Sequence, residues 1–255
     1  MKKPYLVIKI GGNELEVCDF ITGLSADIKE LQKENACILV HGGGRAIDEL
    51  MEKMFIPPHF KNGQRVTDQK TLEVAEMVLS GKINKDLVVA LNAVGLDAIG
   101  LSGVDRNLLQ VVPWDGEMDL VGRITKVRAE LLVEYCAQDV IPVISPISIG
   151  PAGKYNVNAD HAAGMIAGAL FAQQIVFISN VPGVLVDYHI AMQLRDTQVE
   201  ELIENKAIHG GMIPKVQAAL DALNYGAQSA LITNLEGWMK RSGTTIITER
   251  KASNG

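Results

Sequence analysis

The chain has 255 residues, of which 47% are hydrophobic and 21% are charged, and this balance is typical of a globular protein. Its 24 lysines and arginines against 30 aspartates and glutamates give a net charge of -6 at pH 7. An acidic chain is a poor candidate for sequence-independent binding of nucleic acid, which requires a basic surface. Any anionic ligand must therefore be held by a few cations and backbone amides.

The three cysteines, Cys18, Cys37 and Cys136, are widely spaced and form no C-x-x-C pair, so neither a disulfide framework nor a zinc site is predicted. The first apolar run, Tyr5–Ile10, is too short for the core of a signal peptide or for a membrane span. We therefore expect a complete, cytoplasmic chain without a membrane partner.

Short apolar runs of β-forming residues alternate with segments of helical periodicity, which is the pattern of parallel βαβ units. The predicted fold class is therefore α/β. Strands are predicted at Tyr5–Ile10, Cys37–Val40, Ala98–Leu101, Ile141–Ile144, Ile175–Ile178, Ser229–Thr233 and Thr245–Thr248. Helices are predicted from about Ala46 and at Phe20–Glu34, Thr71–Ser80, Asn84–Val94, Arg128–Ala137, His161–Ala172, Val199–Asn205 and Pro214–Leu223.

A hairpin is predicted from the two apolar runs Leu108–Pro113 and Leu120–Ile124, and we expect it at the edge of the sheet. The least regular stretch of the chain is Val186–Asp196. We predict two lobes on one continuous sheet, residues 1–172 and residues 173–255.

Lys9 stands in an otherwise apolar strand, just before Gly11 and Gly12. A lysine near the end of a strand can extend its ammonium group to water. It can also bind an anion together with exposed backbone amides, because open α/β sheets bind ligands at the carboxyl ends of their strands. The sequence alone leaves both interpretations open.

His41 and the glycines Gly42, Gly43 and Gly44 end the second predicted strand and begin the next helix. Glycines let a backbone approach a ligand closely, and a helix N-terminus favours a negative group. The dinucleotide pattern G-x-G-x-x-G fails because Ile47 takes the last glycine position. An esterase loop would require a G-x-S-x-G elbow, which is absent, as is a Walker A motif. An anion-binding turn of another kind is therefore predicted.

Arg65 follows a predicted tight turn, where its planar guanidinium can bind a carboxylate or simply be solvated. Asn156 and Asn158 alternate just before Asp160, which predicts a strand that presents amides along one face. Asp160 can serve as the N-cap of the following helix and as a catalytic carboxylate; the two roles are compatible, so the spacing alone does not decide between them.

Lys215 lies in the predicted first turn of a helix, next to Pro214, which suits that turn. A cation there is unfavourable unless an anion lies nearby, so phosphate is its expected partner. The turn at Ser179–Gly183 can line a nucleotide pocket or simply reverse the chain. The histidines show no metal-ligand spacing and are interpreted as surface or packing residues.

Taken together, these segments resemble the amino-acid kinase family over nearly the whole chain. The resemblance implies a three-layer αβα sandwich of the carbamate kinase-like type, with a mainly parallel central sheet. It also implies transfer of the γ-phosphoryl group of ATP to the γ-carboxylate of N-acetyl-L-glutamate, a step of arginine synthesis. The matching segments are K-I-G-G at 9–12, H-G-G-G at 41–44, N-G-Q-R-V-T-D at 62–68, N-V-N-A-D at 156–160, N-V-P-G-V at 180–184 and G-G-M-I-P-K at 210–215.

By this resemblance, Lys9 and Lys215 would stabilise the charge on the transferring phosphoryl group, and Asp160 would orient both lysines. The backbone amides of Gly11 and Gly12 would assist them. This chemistry needs no general base, because a carboxylate is already a nucleophile at neutral pH and phosphoryl transfer depends mostly on positioning and charge stabilisation.

The same resemblance implies two sets of binding residues. The residues expected to hold the acylated amino acid are Gly43, Gly44, Arg65 and Asn156. The residues expected to contact the nucleotide are Ser179, Asn180, Val181, Gly183, Leu185, His209 and Gly211. Magnesium would arrive with ATP, held largely by phosphate oxygens, and no prosthetic group or protein metal site is expected.

Three departures from the family pattern fall in the nucleotide half. Asn180 stands where members of the family usually have Asp, and Val186–Asp196 lacks the usual Asp-Gly turn. Asn234–Gly243 is shorter than the typical loop before the last strand. The adenine contacts are therefore not predicted from the resemblance.

Two alternatives to this function stay open. A sister kinase for carrier-bound aminoadipate or glutamate would need a basic surface, which Lys53, Lys61 and Arg65 alone do not make. A non-catalytic amino-acid sensor on the same fold would have no need of the two lysines and Asp160 together.

The resemblance also bears on assembly and regulation. Members of the family that arginine inhibits carry an extra N-terminal helix, which joins dimers into a ring of six. Only four residues precede Tyr5 in this sequence. A homodimer whose activity arginine leaves unchanged is therefore expected.

Overall fold

The structure is a computed structural model that describes residues 3–12, 18–61, 63–186 and 189–248. Asn62, which begins the motif around Arg65, lies outside the described residues, as do the outer ends of both predicted lobes and two residues within Val186–Asp196. Within the described residues, no helix combines the length and the apolar character that crossing a lipid bilayer requires.

Helices and strands alternate along most of the chain. The helices are α1 Cys18–Leu31, α2 Gly44–Lys53, α3 Gln69–Glu76, α4 Asn84–Ala93, α5 Ala129–Cys136, α6 Ala159–Ala169, α7 Asp196–Glu204, α8 Ile213–Asn224 and α9 Leu235–Met239, with a π-helix at Met77–Ile83 and 3-10 turns at Asp105–Asn107 and Gly210–Met212. The strands are β1 Tyr5–Ile10, β2 Ala36–His41, β3 Phe60–Lys61, β4 Gln64–Arg65, β5 Ala98–Ser102, β6 Leu109–Pro113, β7 Gly122–Val127, β8 Ile141–Ser145, β9 Ser148–Gly150, β10 Gly153–Tyr155, β11 Gln174–Ile178, β12 Leu185–Val186, β13 His189–Ile190, β14 Gln193–Arg195, β15 Ser229–Thr233 and β16 Thr244–Ile247.

One eight-stranded sheet runs through the molecule in the order β14-β16-β15-β11-β1-β2-β8-β5. The six strands from β15 to β5 are parallel to one another, whereas β16 is antiparallel to β15 and β14 is parallel to β16. The predicted α/β class with a mainly parallel sheet is confirmed. The proposed division into lobes at residues 172 and 173 stays a prediction, although the sheet continues across that point from β1 to β11.

Two apolar layers cover the two faces of this sheet. Strands β2 and β8 are buried along their whole length, as expected for parallel strands covered on both faces. Val7 of β1 belongs to the layer that contains α6 and α8, whereas Leu6 and Ile8 belong to the layer that contains α1, α2 and α4. Because side chains alternate along a strand, Lys9 lies on the same face as Val7, toward α6.

Helices α6 and α8 pack closely through small residues. A Cβ atom on Gly168 would lie 2.4 Å from the Cβ of Tyr225, and one on Gly164 would lie 3.4 Å from the Cβ of Ala222. The two contacts follow in the same order along both helices, so the helices are parallel. Each leads into the start of a parallel strand, and both therefore begin at the carboxyl edge of the sheet.

The predicted hairpin is correct in its pairing but wrong in its position. Strands β6 and β7 pair antiparallel, but they belong to a separate four-stranded sheet with the order β10-β9-β6-β7. Leu109, Val111 and Ile124 are buried in the core, so this small sheet packs over the main sheet instead of extending its edge. The edge strands of the main sheet are β14 and β5. The short hairpin of β9 and β10 was not predicted.

The predicted gap between helices at residues 81–83 is also wrong. There α3 continues through the π-helix into α4, without a break. Val78, Leu79 and Ile83 within the π-helix are buried, and this apolar packing keeps the segment helical where the sequence signal weakens around Gly81.

Candidate active site

Two glycine turns meet where the central strands end. The N–H of Gly11 donates to the carbonyl of Ile178 at 3.1 Å, and the N–H of Gly42 donates to the carbonyl of Ile10 at 3.0 Å. A Cβ atom on Gly12 would lie 2.9 Å from the Cα of Gly43, so the two turns are in direct backbone contact and only glycine fits at position 12. Both predicted glycine motifs therefore form one backbone surface at the carboxyl edge of the sheet.

Lys9 and Asp160 form an ion pair beside this surface. The Nζ of Lys9 lies 2.7 Å from Oδ1 of Asp160, and the two side chains are 12% and 32% exposed. The interpretation of Lys9 as a solvated lysine at a strand end is wrong, because its ammonium group is paired and mostly buried. The structure therefore places one cation, with its counter-charge, at the glycine turns.

Asp160 does not cap α6. The N-cap is Asn158, whose Oδ1 accepts from the N–H of Asp160 at 2.8 Å and from the N–H of His161 at 3.2 Å. The amide of Asn158, two residues earlier, thus satisfies the helix end, and the Asp160 carboxylate can pair with Lys9. The sequence left capping and catalysis open at Asp160, and the geometry excludes capping.

Arg65 is enclosed by four groups. Its NH1 lies 2.7 Å from Oδ1 of Asp48, and its NH2 donates to the carbonyl of Gly44 at 3.2 Å. The guanidinium carbon lies 4.7 Å from the ring centroid of Phe60, and the sulfur of Met51 lies 3.5 Å from NH1. The arginine side chain is only 8% exposed, so the alternative of a simply solvated arginine is wrong.

Asp48 was not singled out from the sequence. It lies four residues after Gly44 on α2, so the two share a face of that helix. This spacing after the glycine turn is the one signal that could have indicated it. The contact with Arg65 spans two elements that no local pattern connects.

A cleft of about 200 Å³ lies between these elements. Its lining includes the four residues predicted to hold the acceptor, together with apolar side chains from α2, the π-helix and the segment before α6. The amide of Asn156 donates to Oγ1 of Thr67 at 3.1 Å, which fixes its orientation. The predicted acceptor residues Gly43, Gly44, Arg65 and Asn156 are therefore brought together in one place.

The predicted nucleotide residues lie on the other half of the same edge. Ser179 follows β11, and its N–H donates to the carbonyl of Thr233 at 2.9 Å. Gly183 has a φ of 153°, and a Cβ atom there would lie 2.7 Å from Oγ1 of Thr244, so a larger residue would not fit. Asn180 and Val181 belong to the same turn, and the exposed Leu185 belongs to hairpin β12–β13. This hairpin forms although the family's Asp-Gly turn is absent.

Lys215 lies in the first turn of α8, which follows directly on the 3-10 turn Gly210–Met212; this turn contains Gly211 and is preceded by His209. The side chain of Lys215 is partly buried, and the described residues provide no ion-pair partner for it. Among the described residues Asp160 forms an ion pair with Lys9 and not with Lys215, so its orientation of Lys215 stays a prediction. Both residues nonetheless lie in the first turns of parallel helices that begin at the same edge of the sheet.

Metal-ligating side chains do not cluster in the part of the chain that the structure describes. No group of three or more His, Cys, Asp or Glu side chains there could hold an ion.

The histidine at the glycine turn, His41, is fully buried, and this burial lowers its pKa to about 4.

Comparison with known proteins gives three findings. The model of the amino acid kinase family matches residues 4–234. An acetylglutamate kinase from Roseiflexus sp. (strain RS-1) is 49% identical over 252 residues, which cover 98% of this chain and 95% of that protein. The structure of smu.665 from Streptococcus mutans UA159 is similar with a TM-score of 0.83 and 30% identity, covering 95% of this chain and 98% of the other.

The carbamate kinase of Giardia is more distant. It superimposes with a TM-score of 0.76 at 13% identity, covering 98% of this chain and 100% of the other. At this identity the likeness concerns the fold alone, and it agrees with the predicted carbamate kinase-like sandwich.

Proposed function

The chain belongs to the amino acid kinase family, and from this premise we infer that it transfers the γ-phosphoryl group of ATP to the γ-carboxylate of N-acetyl-L-glutamate. The product is the acyl phosphate N-acetyl-L-glutamyl 5-phosphate, an intermediate of arginine synthesis. The observation that carries this inference is the Lys9–Asp160 pair, which lies at the contact between two glycine turns and beside the Arg65 cleft.

Charge stabilisation is the main task of such a site. In the transition state, the metaphosphate-like phosphoryl group carries negative charge on its oxygens. Cations or N–H donors placed next to these oxygens lower the activation free energy of the transfer. We propose that Lys9 and Lys215 stabilise this charge, one from each half of the sheet, and that the backbone amides of Gly11 and Gly12 assist Lys9. Asp160 holds the Lys9 ammonium group in position at 2.7 Å.

The acceptor is proposed to bind in the cleft lined by Gly43, Gly44, Arg65 and Asn156. Arg65 has five N–H donors, and Asp48 and the Gly44 carbonyl accept from only part of them. The remaining donors can hold a carboxylate of the substrate in the bidentate manner that guanidinium favours. The apolar side chains of the lining suit an acetyl group better than a free ammonium group.

ATP is proposed to bind along the turn that contains Ser179, Asn180, Val181, Gly183 and Leu185, and near His209 and Gly211. Magnesium would be held by phosphate oxygens of the nucleotide, because the described residues offer no cluster of carboxylates for it. When bound, the ion would neutralise charge on the β- and γ-phosphates. The lobes 1–172 and 173–255 are proposed to carry the acceptor and the nucleotide respectively.

We further propose that the enzyme works as a homodimer in the cytoplasm. Met77 and Val89, on the helical segment from α3 to α4, are 49% and 68% exposed, and burial against a second copy would remove this apolar surface from water. Cys37 is a buried cysteine that forms no disulfide, which suits a reducing compartment. Light scattering should give twice the 27.6 kDa mass of the chain.

Initial rates of ADP release test the proposed function. The full chain with ATP and magnesium should turn over N-acetyl-L-glutamate at least 100-fold faster than L-glutamate or L-aspartate at equal concentration. Equal rates with glutamate would contradict the acylated acceptor. Failure to release ADP with any of the three acceptors would contradict the kinase itself.

A further inference from the structure

The π-helix Met77–Ile83 forms part of the wall of the acceptor cleft. Leu79 lines the cleft, and a Cβ atom on Gly43 would lie 2.8 Å from its Cδ2 and 2.4 Å from Cδ1 of Ile83. Two side chains of the π-helix thus press directly against the Gly43 backbone. The position of this helical segment therefore determines the position of Gly43. Turns of π-helix are rare and often occur at functional sites.

Asn84 is the residue that follows the π-helix, and its buried side chain joins this segment to the sheet. Its Nδ2 donates to the carbonyl of Val143 in β8 at 2.8 Å and lies 3.3 Å from the carbonyl of Leu101 in β5. The same nitrogen lies 3.3 Å from Nε2 of His41, at the end of β2. One amide group therefore connects three neighbouring strands, β2, β8 and β5.

The tautomer of His41 follows from its other contact. Nδ1 of His41 lies 3.1 Å from the carbonyl oxygen of Gly42, which can only accept, so Nδ1 carries the proton. Nε2 is then the acceptor of the N–H from Asn84. Because burial lowers the pKa of His41 to about 4, the ring is neutral at pH 7, as this arrangement requires.

The oxygen of the Asn84 amide is fixed as well. Nζ of Lys85 donates to it at 3.1 Å and also donates to the carbonyl of Gly100 at 3.3 Å. A Cβ atom on Gly100 would lie 2.0 Å from this oxygen, so glycine makes room for the amide in β5. Both ends of the Asn84 side chain are thus engaged, and the amide has one orientation.

From these contacts we propose that Asn84 is a positioning residue for the acceptor. It holds the π-helix and the His41–Gly42 peptide against the strand ends, and thereby keeps Gly43 in the shape that the acceptor needs. Asn84 itself does not line the cleft, so it acts through Gly43, Leu79 and Ile83. The proposal rests on the proposed function, because it concerns the acceptor of that reaction.

Steady-state kinetics of the full chain with Asn84→Ala test the proposal. Loss of the amide frees the π-helix and His41, so the KM for N-acetyl-L-glutamate should rise at least ten-fold. The KM for ATP should change less than two-fold, since the nucleotide residues lie on other elements. Circular dichroism is recorded in parallel to establish that the variant is folded.

Asn92→Ala is the matched control. Asn92 also lies on α4, and its Oδ1 accepts from the N–H of Ala98 at the opposite end of β5, at 3.1 Å. Its loss removes a comparable hydrogen bond between helix and strand, away from the cleft. Both KM values of this variant should stay within two-fold of the parent chain.

Three results would overturn the proposal. These are unchanged kinetics of Asn84→Ala, equal changes of its two KM values, and the same selective change in Asn92→Ala. If Asn84→Ala does not fold, His41→Asn is measured instead, because it keeps a donor for the Gly42 carbonyl and loses the acceptor for Asn84. Its KM for N-acetyl-L-glutamate should rise at least three-fold, without a comparable rise of the KM for ATP. A parent chain inactive on N-acetyl-L-glutamate would overturn the proposed function together with this one, whereas an active parent without the selective effect would overturn this proposal alone.

Discussion

Lys9 and Lys215 lie at the two halves of the same sheet edge, and they differ in whether the protein provides an ion-pair partner. Lys9 is 12% exposed and has a carboxylate partner at 2.7 Å. Arg65, in the same half, is 8% exposed and pairs with Asp48. Lys215 is partly buried near the start of α8, where the first turn contains no acidic residue and the described residues form no ion pair with it.

With the acceptor and the nucleotide assigned to the two lobes as proposed, this difference predicts how each substrate is held. In the acceptor half the protein supplies its own counter-charges, so the cations are fixed before any ligand arrives. In the nucleotide half the cation at the helix N-terminus is unfavourable by itself, and phosphate would supply the missing charge. Changes in the acceptor half should therefore affect folding and catalysis together, whereas changes at Lys215 should affect catalysis alone.

The largest effect is expected from removal of either lysine. Lys9→Ala and Lys215→Ala should each lower kcat by roughly 100-fold or more, because each removes charge stabilisation from the transition state. Only Lys9→Ala should also destabilise the fold, by about 1 kcal/mol, since it leaves the Asp160 carboxylate without its partner. Initial rates and urea unfolding measure the two quantities. Near-parental turnover of either variant would refute the role of that lysine, and equal stability losses would remove the contrast between the halves.

A comparison of Asp160→Asn with Asn158→Ala separates catalysis from capping within one helical turn. Asp160→Asn keeps the Asn158 cap and removes the charge that holds Lys9, so activity should fall by roughly 100-fold, with a loss of stability like that of Lys9→Ala, about 1 kcal/mol. Asn158→Ala removes the cap and should lower the free energy of unfolding by about 1 kcal/mol. Thermal unfolding and kcat are measured for both variants. A large loss of stability with full activity per folded molecule in Asp160→Asn would show that this carboxylate is structural.

Substitution of Arg65 tests whether this residue binds the acceptor and not ATP. Arg65→Ala should raise the KM for N-acetyl-L-glutamate by roughly 10- to 100-fold, which corresponds to about 1.5–3 kcal/mol for hydrogen bonds to a charged group. The KM for ATP should stay within two-fold, and Arg65→Lys should restore only part of the loss, because an ammonium group cannot form the bidentate pair. Steady-state kinetics with each substrate varied in turn give both constants. Equal effects on the two KM values would place Arg65 outside the acceptor site.

The last prediction concerns how the free energy of unfolding depends on pH through the neutral His41 ring. The pKa of this ring is about 4 in the folded chain and 6.5 in its ordinary state, so the unfolded chain binds more protons between these values. The free energy of unfolding should therefore fall as pH decreases through this window, by about 2 kcal/mol between pH 7 and pH 5 from this group. Urea unfolding of His41→Asn should show a correspondingly smaller fall than the parent chain. Identical slopes would mean that His41 is protonated without cost in the folded state.

Much of the sheet could be predicted because each of its parallel strands is a short apolar run with clear ends. Lys9 and the glycine turns could be singled out because turns at the carboxyl ends of such strands meet at one edge, whereas the roles of Arg65 and Asn156 were implied by the resemblance to the family. The pairing of Arg65 with Asp48 could not be predicted, because it depends on how a hairpin packs on α2. The π-helix could not be distinguished from an α-helix, because the apolar pattern of Val78, Leu79 and Ile83 suits either.

The choice of Asn158 over Asp160 as the cap shows a further limit. Both residue types cap helices well, so propensity does not separate them. The difference arises from Lys9, which is 151 positions away in the sequence and close to Asp160 only after the sheet has formed. The position of the small sheet of β6, β7, β9 and β10 could not be predicted either. It depends on burial against the core and not on the sequence of its own strands.

The most direct measurement is to trap the product. The full chain is incubated with ATP, magnesium and N-acetyl-L-glutamate in the presence of hydroxylamine, which converts an acyl phosphate to a hydroxamate that iron(III) colours. We predict one hydroxamate for each ADP released, and neither product when the acceptor is omitted. ADP release without hydroxamate would contradict the claim that a carboxylate receives the phosphoryl group.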